Sequence, residues 1–193
     1  ADIVGLKFDF GIKWKKLGEI AKIQRGASPR PISEYLTTNI EGIPWIKIGD
    51  IKSGTKYVEN TEQKITQKGA LKSRILKKGD FIMSNSMSYG RPYILKIDGA
   101  IHDGWASISE FEESLKSDFL YYYLSSDRVK KYWDSKINSS SVSNLNSEII
   151  KSLLIPLPPL EVQNHIVKIL DKFDDLVNDL SQGLPKEIEL RQK

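Results

Sequence analysis

Cysteine is absent from the 193 residues. Disulfides, thiolate catalysis and Cys-ligated zinc are therefore excluded, and a reducing compartment fits. Histidine is scarce: only His102 and His165 occur, with no HExxH or other metal-ligand spacing around them. Glycine-rich phosphate loops are missing too. Neither GxxxxGK followed by Ser or Thr nor GxGxxG is present, which leaves ATP and dinucleotide binding unsupported. No Asn-Pro-Pro-Tyr-like segment supplies the clamp expected of a base methyltransferase, and no carboxylate pair suits a metal-dependent nuclease. Asp50 and Asp80 follow glycines, where turn chemistry accounts for them. No apolar run approaches the roughly 18 residues of a membrane span, so a soluble, non-membrane chain is expected. Residues 1–11 lack the basic and long apolar regions of an export signal, so the expected location is the cytoplasm. No catalytic residue and no metal ligand is assigned.

What the chain does contain is core material and a divided charge. Apolar residues make up 39%, with four Trp, eight Tyr and six Phe, enough for a packed core. Up to Pro158 there are 24 Lys and Arg against 18 Asp and Glu, a net +6; from Pro159 onward there are 5 against 7, a net −2. A basic body suits a polyanion and a mildly acidic tail suits protein. Short strands are expected at 43–51, 76–83, 93–97 and 101–108, bounded by Gly, Pro and Asp turns. Residues 14–23 form a strand or short helix, and 63–70 a short helix. One helix, capped by Ser117 or Asp118, runs to about Trp133. Pro156 to Pro159 form a stiff break. The fold class is α+β: a globular body of short strands and a few helices over residues 1–155, then a long C-terminal helix of coiled-coil type within 156–193.

That helix carries the cleanest pattern. Val162, Ile166, Ile169, Phe173, Leu176 and Leu180 are spaced 4, 3, 4, 3, 4, the alternation of a coiled-coil seam. Lys168, Lys172, Asp175 and Asp179 occupy the other side. Gly183 reads as a C-cap and Pro185 as the start of a second helix. Periodicity leaves two destinations for the stripe: the chain's own body, or a partner helix in a dimer.

Three loops in the body have side chains suited to DNA. Gln24 to Arg30 presents Arg25, Ser28 and Arg30 on a stretch stiffened by proline. Arginine pairs with guanine O6/N7 or clamps a phosphate. Ser84, Asn85, Ser86, Ser88, Tyr89 and Arg91 lie within eight residues; hydroxyls serve phosphates, while amides, phenols and guanidinium groups reach base edges. Ser140 and Asn144 belong to a third loop, rich in Ser and Asn. His102-Asp103-Gly104 reads as a turn with a structural or contact role.

These pieces, in order, resemble one half of the DNA-specificity (S) subunit of type I restriction–modification systems. Trp14-Lys-Lys-Leu-Gly-Glu-Ile20 with Arg25-Gly-Ala-Ser-Pro29 is similar to the family's opening motif. Ile43-Pro-Trp-Ile-Lys-Ile-Gly-Asp50 and Lys78-Gly-Asp-Phe-Ile-Met-Ser-Asn85 resemble two of its internal segments. The most specific piece, Ile155-Pro-Leu-Pro-Pro-Leu-Glu-Val-Gln163 with Ile166, resembles the entry to the family's spacer helix; Val162 stands where the family often has Glu. Gly183 to Gln192 is similar to the start of a further family segment. The resemblance implies a target-recognition domain reading one half of a bipartite site in double-stranded DNA. It also implies pairing with a second specificity half or a second copy. Catalysis would then lie in methyltransferase (M) and restriction (R) subunits, which alone would use S-adenosylmethionine, ATP and Mg. The alternative from the residues is a protein-interaction adaptor acting through its C-terminal helix.

Overall fold

Apolar runs without alternation become strands covered on both faces, and that covering sets the layering here. The computed structural model describes residues 2–3, 6–7, 12–51, 54–85, 89–138 and 144–191, with side chains within 12–137 and 144–177 of these. The elements are β1 (Asp2–Ile3), β2 (Leu6–Lys7), β3 (Lys13–Lys16), β4 (Lys22–Arg25), β5 (Leu36–Thr37), β6 (Ile43–Ile46), β7 (Tyr57–Val58), β8 (Gln63–Ile65), α1 (Gln67–Ala70), β9 (Arg74–Leu76), β10 (Phe81–Ser84), β11 (Pro92–Leu95), β12 (Gly99–Ile101), β13 (Trp105–Ser109), α2 (Ser117–Leu124), α3 (Asp127–Asn138), α4 (Ser147–Lys151), β14 (Leu154–Leu157) and α5 (Leu160–Arg191).

Two five-stranded sheets, β4-β13-β10-β11-β7 and β5-β8-β6-β12-β9, are accompanied by a separate β14-β3 ribbon and a small β1-β2 pair. The first sheet is buried on both sides. Phe81 and Met83 of β10 pack with Phe119, Leu120, Val129 and Trp133 of the helices. Ile82, between them in sequence, faces the second sheet with Tyr93, Leu95, Trp105, Ile46 and Ile101. Trp45 and Ile65 lie in a third cluster with Ala70 of α1 and Ala100. The order of layers is helices, sheet, sheet, α1. Each large side chain buried this way contributes about 1.5–3 kcal/mol. The buried indole of Trp105 is satisfied, its Nε1 donating to Ile46 O at 3.2 Å.

Several local expectations change. Residues 14–23 hold two strands around a 3-10 turn at Leu17–Glu19, and 63–70 hold a strand and one helical turn. The helix expected over 117–133 is two. Ser126 breaks it, donating to Tyr123 O at 2.7 Å and accepting from Val129 N, which caps α3 from its own side chain. The N-cap of α2 is Lys116, with no side-chain cap. Its N–H instead meets Gln163 Oε1 at 2.8 Å. Pro156 lies within β14, opposite Trp14 of β3, at the edge of a two-stranded ribbon where its missing donor is tolerated.

Helix α5 continues through Gly183 and Pro185 to Arg191, correcting the C-cap and second helix. Proline removes the bond its own N–H would make to the carbonyl four residues earlier and crowds that carbonyl with its ring, a local cost that the other bonds of a helix of 32 residues offset. The base of α5 is anchored on the body by buried Gln163 and by Ile166 and Val167. Tyr122 of α2 places its hydroxyl 2.6 Å from Asp171 and 2.9 Å from Asp174. Burial and these two carboxylates push the Tyr122 phenol well up. Val162, Ile169, Phe173 and Leu176 remain 43–60% exposed. The stripe is therefore split: Ile166 joins Gln163 and Val167 on a docked face, which at roughly 100° per residue is centred about a quarter-turn from the face of the other four. The Leu180 side chain lies outside the described ones. Among the described residues no helix is long and apolar enough to cross a membrane.

Candidate nucleic-acid interface

Antiparallel register brings three distant loops to one end of the first sheet. Arg25 at the end of β4 pairs with Ala106 near the start of β13. Ala106 pairs with Met83 near the end of β10, and Met83 with Pro92 at the start of β11. The described segments leaving or entering this edge are 26–31, 85 with 89–91, and 102–104. The fourth, 144–146, is tied in by Leu145 N donating to Asn85 O at 3.0 Å. Asn146 caps α4, accepting from Ile149 N at 2.9 Å, which fixes that segment's exit.

Asp103 occupies the centre. Its carboxylate accepts from Ser28 Oγ at 3.0 Å and from Arg30 Nη2 at 3.1 Å. Its carbonyl accepts from Arg25 Nε at 3.2 Å and Asn85 Nδ2 at 3.0 Å. His102 Nε2 lies 3.0 Å from the same carboxylate, while its Nδ1 accepts from Gly104 N at 2.9 Å. Burial alone would raise the Asp103 pKa, but Ser28, the His102 ring and the Arg30 guanidinium outweigh it and hold the carboxyl below its ordinary value. The loops approach so closely that only glycine fits at 26: a Cβ there would stand 2.0 Å from the His102 carbonyl oxygen.

Clefts open around this centre. One of about 360 Å³ is lined by Arg25, Asn85, Asn144, Asn146, Ser147 and Glu148. Another, of about 290 Å³, includes Ser28, Arg30, Lys47, Gln63, His102 and Asp103. A third, of about 590 Å³, is lined by Tyr89, Arg91, Tyr121, Lys130, Trp133 and Asp134 among others. There Tyr89 donates to Asp134 at 2.8 Å, a bond that pushes the phenol up, and Arg91 stacks on Tyr93 at 5.6 Å. Gly90, at φ +79°, sits where a Cβ would strike the Trp133 ring, so the turn carrying Arg91 is glycine-dependent.

Of the residues singled out in sequence, Arg25, Ser28, Arg30 and Asn85 meet directly at Asp103, and Asn144 shares the cleft of Arg25 and Asn85. Ser84 ends β10, buried, beside Trp105. Tyr89 and Arg91 line the neighbouring cleft. Ser86, Ser88 and Ser140 lie outside the described residues. Sequence reasoning missed the central role of Asp103 and the contributions of Lys47, Asn146 and Lys130. The one available signal was the His-Asp-Gly turn itself, whose partners lie 18 to 78 residues away. Among the described residues no group of three or more His, Cys, Asp or Glu could hold a metal.

Comparison with known proteins agrees in sequence and in fold. A family model described as the type I restriction modification DNA specificity domain matches residues 11–190. A type I restriction enzyme specificity subunit of Escherichia coli is 31% identical over 188 residues, covering 94% of this chain and 46% of that protein. Among solved structures, a chain from a study of complex assembly and conformational transition of the type I R-M system superposes with a TM-score of 0.73 at 25% identity. The match covers 98% of this chain and 45% of that one. The HsdS subunit from Thermoanaerobacter tengcongensis shares the fold, with a TM-score of 0.69 at 24% identity over 93% of this chain and 41% of that one. The chain thus spans somewhat under half the length of these relatives.

Proposed function

Because the chain belongs to the family of type I restriction–modification DNA specificity domains, we propose that it reads a short sequence in duplex DNA, as one half of a bipartite site. The observation that carries this reading is the convergence of Arg25, Asn85 and Asn144 on one cleft, with Ser28 and Arg30 beside it. Arginine offers the fork that fits guanine O6/N7, and asparagine the donor–acceptor pair that fits adenine N6/N7. Hydroxyls and lysines around them suit phosphates, and the net +6 of the body favours approach to a polyanion.

In this reading residues 1–155 are the recognition body and 156–193 the spacer, with β14 crossing that division. The chain is non-catalytic. Methyltransferase and restriction subunits perform the chemistry in the cytoplasm and hold S-adenosylmethionine, ATP and Mg. Two copies, or this chain and a second specificity half, pair as a coiled coil through Val162, Ile169, Phe173 and Leu176, continuing to Leu180. At 1.5 Å per residue, α5 is about 48 Å long, a stiff ruler between the half-sites. A symmetric pair reads an interrupted palindrome.

Binding of labelled duplexes at increasing salt tests the DNA reading. A specificity domain gives affinity that falls log-linearly with salt and a preference among sequences. Salt-independent or absent binding would leave the adaptor reading instead.

A further inference from the structure

A carboxylate is an adverse group at the centre of a surface that meets phosphates, since it repels the ligand. Asp103 is nonetheless placed there, between β12 and β13, and tied to both reading loops. Its backbone N–H donates to Ser28 Oγ at 3.2 Å while its carboxylate accepts from the Ser28 and Arg30 side chains. The side chain thereby fastens the 102–104 turn to the 28–30 segment. The fastened turn offers its carbonyl to Arg25 Nε and Asn85 Nδ2, and Asn85 N is held in addition by Gly104 O at 3.2 Å. Held through Nε, Arg25 keeps both terminal Nη groups for a ligand. Asn85, held through one N–H, keeps the other N–H and its Oδ1. These remaining sets are the pairs that match guanine and adenine edges, and both side chains line the same cleft.

We propose that Asp103 is a positioning residue for base reading: it locks the 102–104 turn against Ser28 and Arg30, so that its carbonyl presents Arg25 and Asn85 in reading geometry. The inference rests on the DNA-reading role above and names what fixes its selectivity.

The two effects of the carboxylate have opposite signs, and that separates positioning from plain structural support. In Asp103→Ala the repulsion disappears while the lock is lost. Non-specific affinity at low salt should hold or rise, and the ratio of specific to non-specific affinity should fall about tenfold or more. Asp103→Asn also loses the charge but keeps an oxygen acceptor for Ser28, so it should retain most of the ratio. Ser28→Ala should reproduce the loss, and the double variant Ser28→Ala with Asp103→Ala should lose little beyond either single one, because both break one lock.

The experiment measures the full chain with a type I methyltransferase subunit on a duplex retained by selection and on a scrambled duplex, with melting temperatures alongside. An Asp103→Ala ratio equal to wild type overturns the inference while leaving the DNA-reading role intact. Parallel loss of both affinities with a lowered melting temperature overturns it in favour of a structural role. A wild-type chain that does not distinguish the duplexes overturns the DNA-reading role, and this inference with it.

Discussion

Replacing Gln163 by Leu keeps the volume of a buried side chain and removes only its hydrogen bonds. Gln163 is 0% exposed. Its Oε1 accepts from Lys116 N at 2.8 Å, and its Nε2 donates to Ser114 O and Pro158 O, both at 2.9 Å. Three backbone groups therefore lose their partner at the junction of α2, the diproline segment and α5. An orphaned buried group costs about 1–3 kcal/mol. The Pro158 bond is buried and takes a value near 2, while the two partly buried bonds take about 1 each, giving a loss of about 4 kcal/mol. For a chain of this size that lowers the melting temperature by roughly 8–16 °C. Trp45, Trp105 and Trp133 are buried, so tryptophan fluorescence during urea or thermal unfolding reads the change. Gln163→Glu adds a check of sign. The carboxylate would face two carbonyls, its folded pKa would rise, and the variant should regain stability as pH falls and the carboxyl becomes a donor. A Gln163→Leu loss below about 1 kcal/mol would refute the assignment of Gln163 as the anchor of α5.

The remaining predictions concern charge, reading and pairing. Burial pushes the Asp80 carboxyl up, against the Lys77 N–H bond and with help from Glu112, Asp98 and Glu110. The ionised form thus costs stability above the ordinary Asp range. Asp80→Asn keeps an acceptor for Lys77 N, so it should melt higher than wild type at pH 7, with the gap closing in acid. Arg25→Ala should relax preference at one base pair by about 1–3 kcal/mol, whereas Arg91→Ala, beside Lys130, should weaken all sequences alike and flatten the salt dependence; competition binding on single-substitution duplexes distinguishes them. Phe173→Lys with Leu176→Lys should abolish self-association in sedimentation and the concentration dependence of the melting temperature, while leaving the melting temperature of the dilute chain unchanged, because both side chains are more than half exposed. Monomeric wild type at high micromolar concentration would sink the pairing.

Local chemistry was legible in the sequence, whereas long-range chemistry was not. The Lys77-Lys78-Gly79-Asp80 turn opens β10 as its residues imply, with Lys77 N donating to Asp80 at 2.8 Å and Gly79 at φ +99°. The helix after Pro159 was visible because its period is set within one element. Its division into a docked face and an exposed face was not, since Gln163, Asp171 and Asp174 are recruited by residues 47 to 52 positions away. The α2–α3 break was hidden by apolar residues that keep helical spacing across Ser126. Choosing Arg25, Ser28, Arg30 and Asn85 needed only side-chain chemistry. Seeing that they meet needs the β4-β13-β10 register, which no local pattern encodes, and Asp103 reads locally as a turn residue because its partners are remote.

Selection from a randomised duplex library, by this chain together with a type I methyltransferase subunit, decides whether the chain reads DNA sequence. Recovery of one short motif is expected, or of two inverted copies separated by a fixed gap if the chain self-pairs, with loss of the enrichment in Arg25→Ala. Retention of DNA with no enriched motif would contradict it, leaving a basic scaffold that shares the family's fold without its reading function.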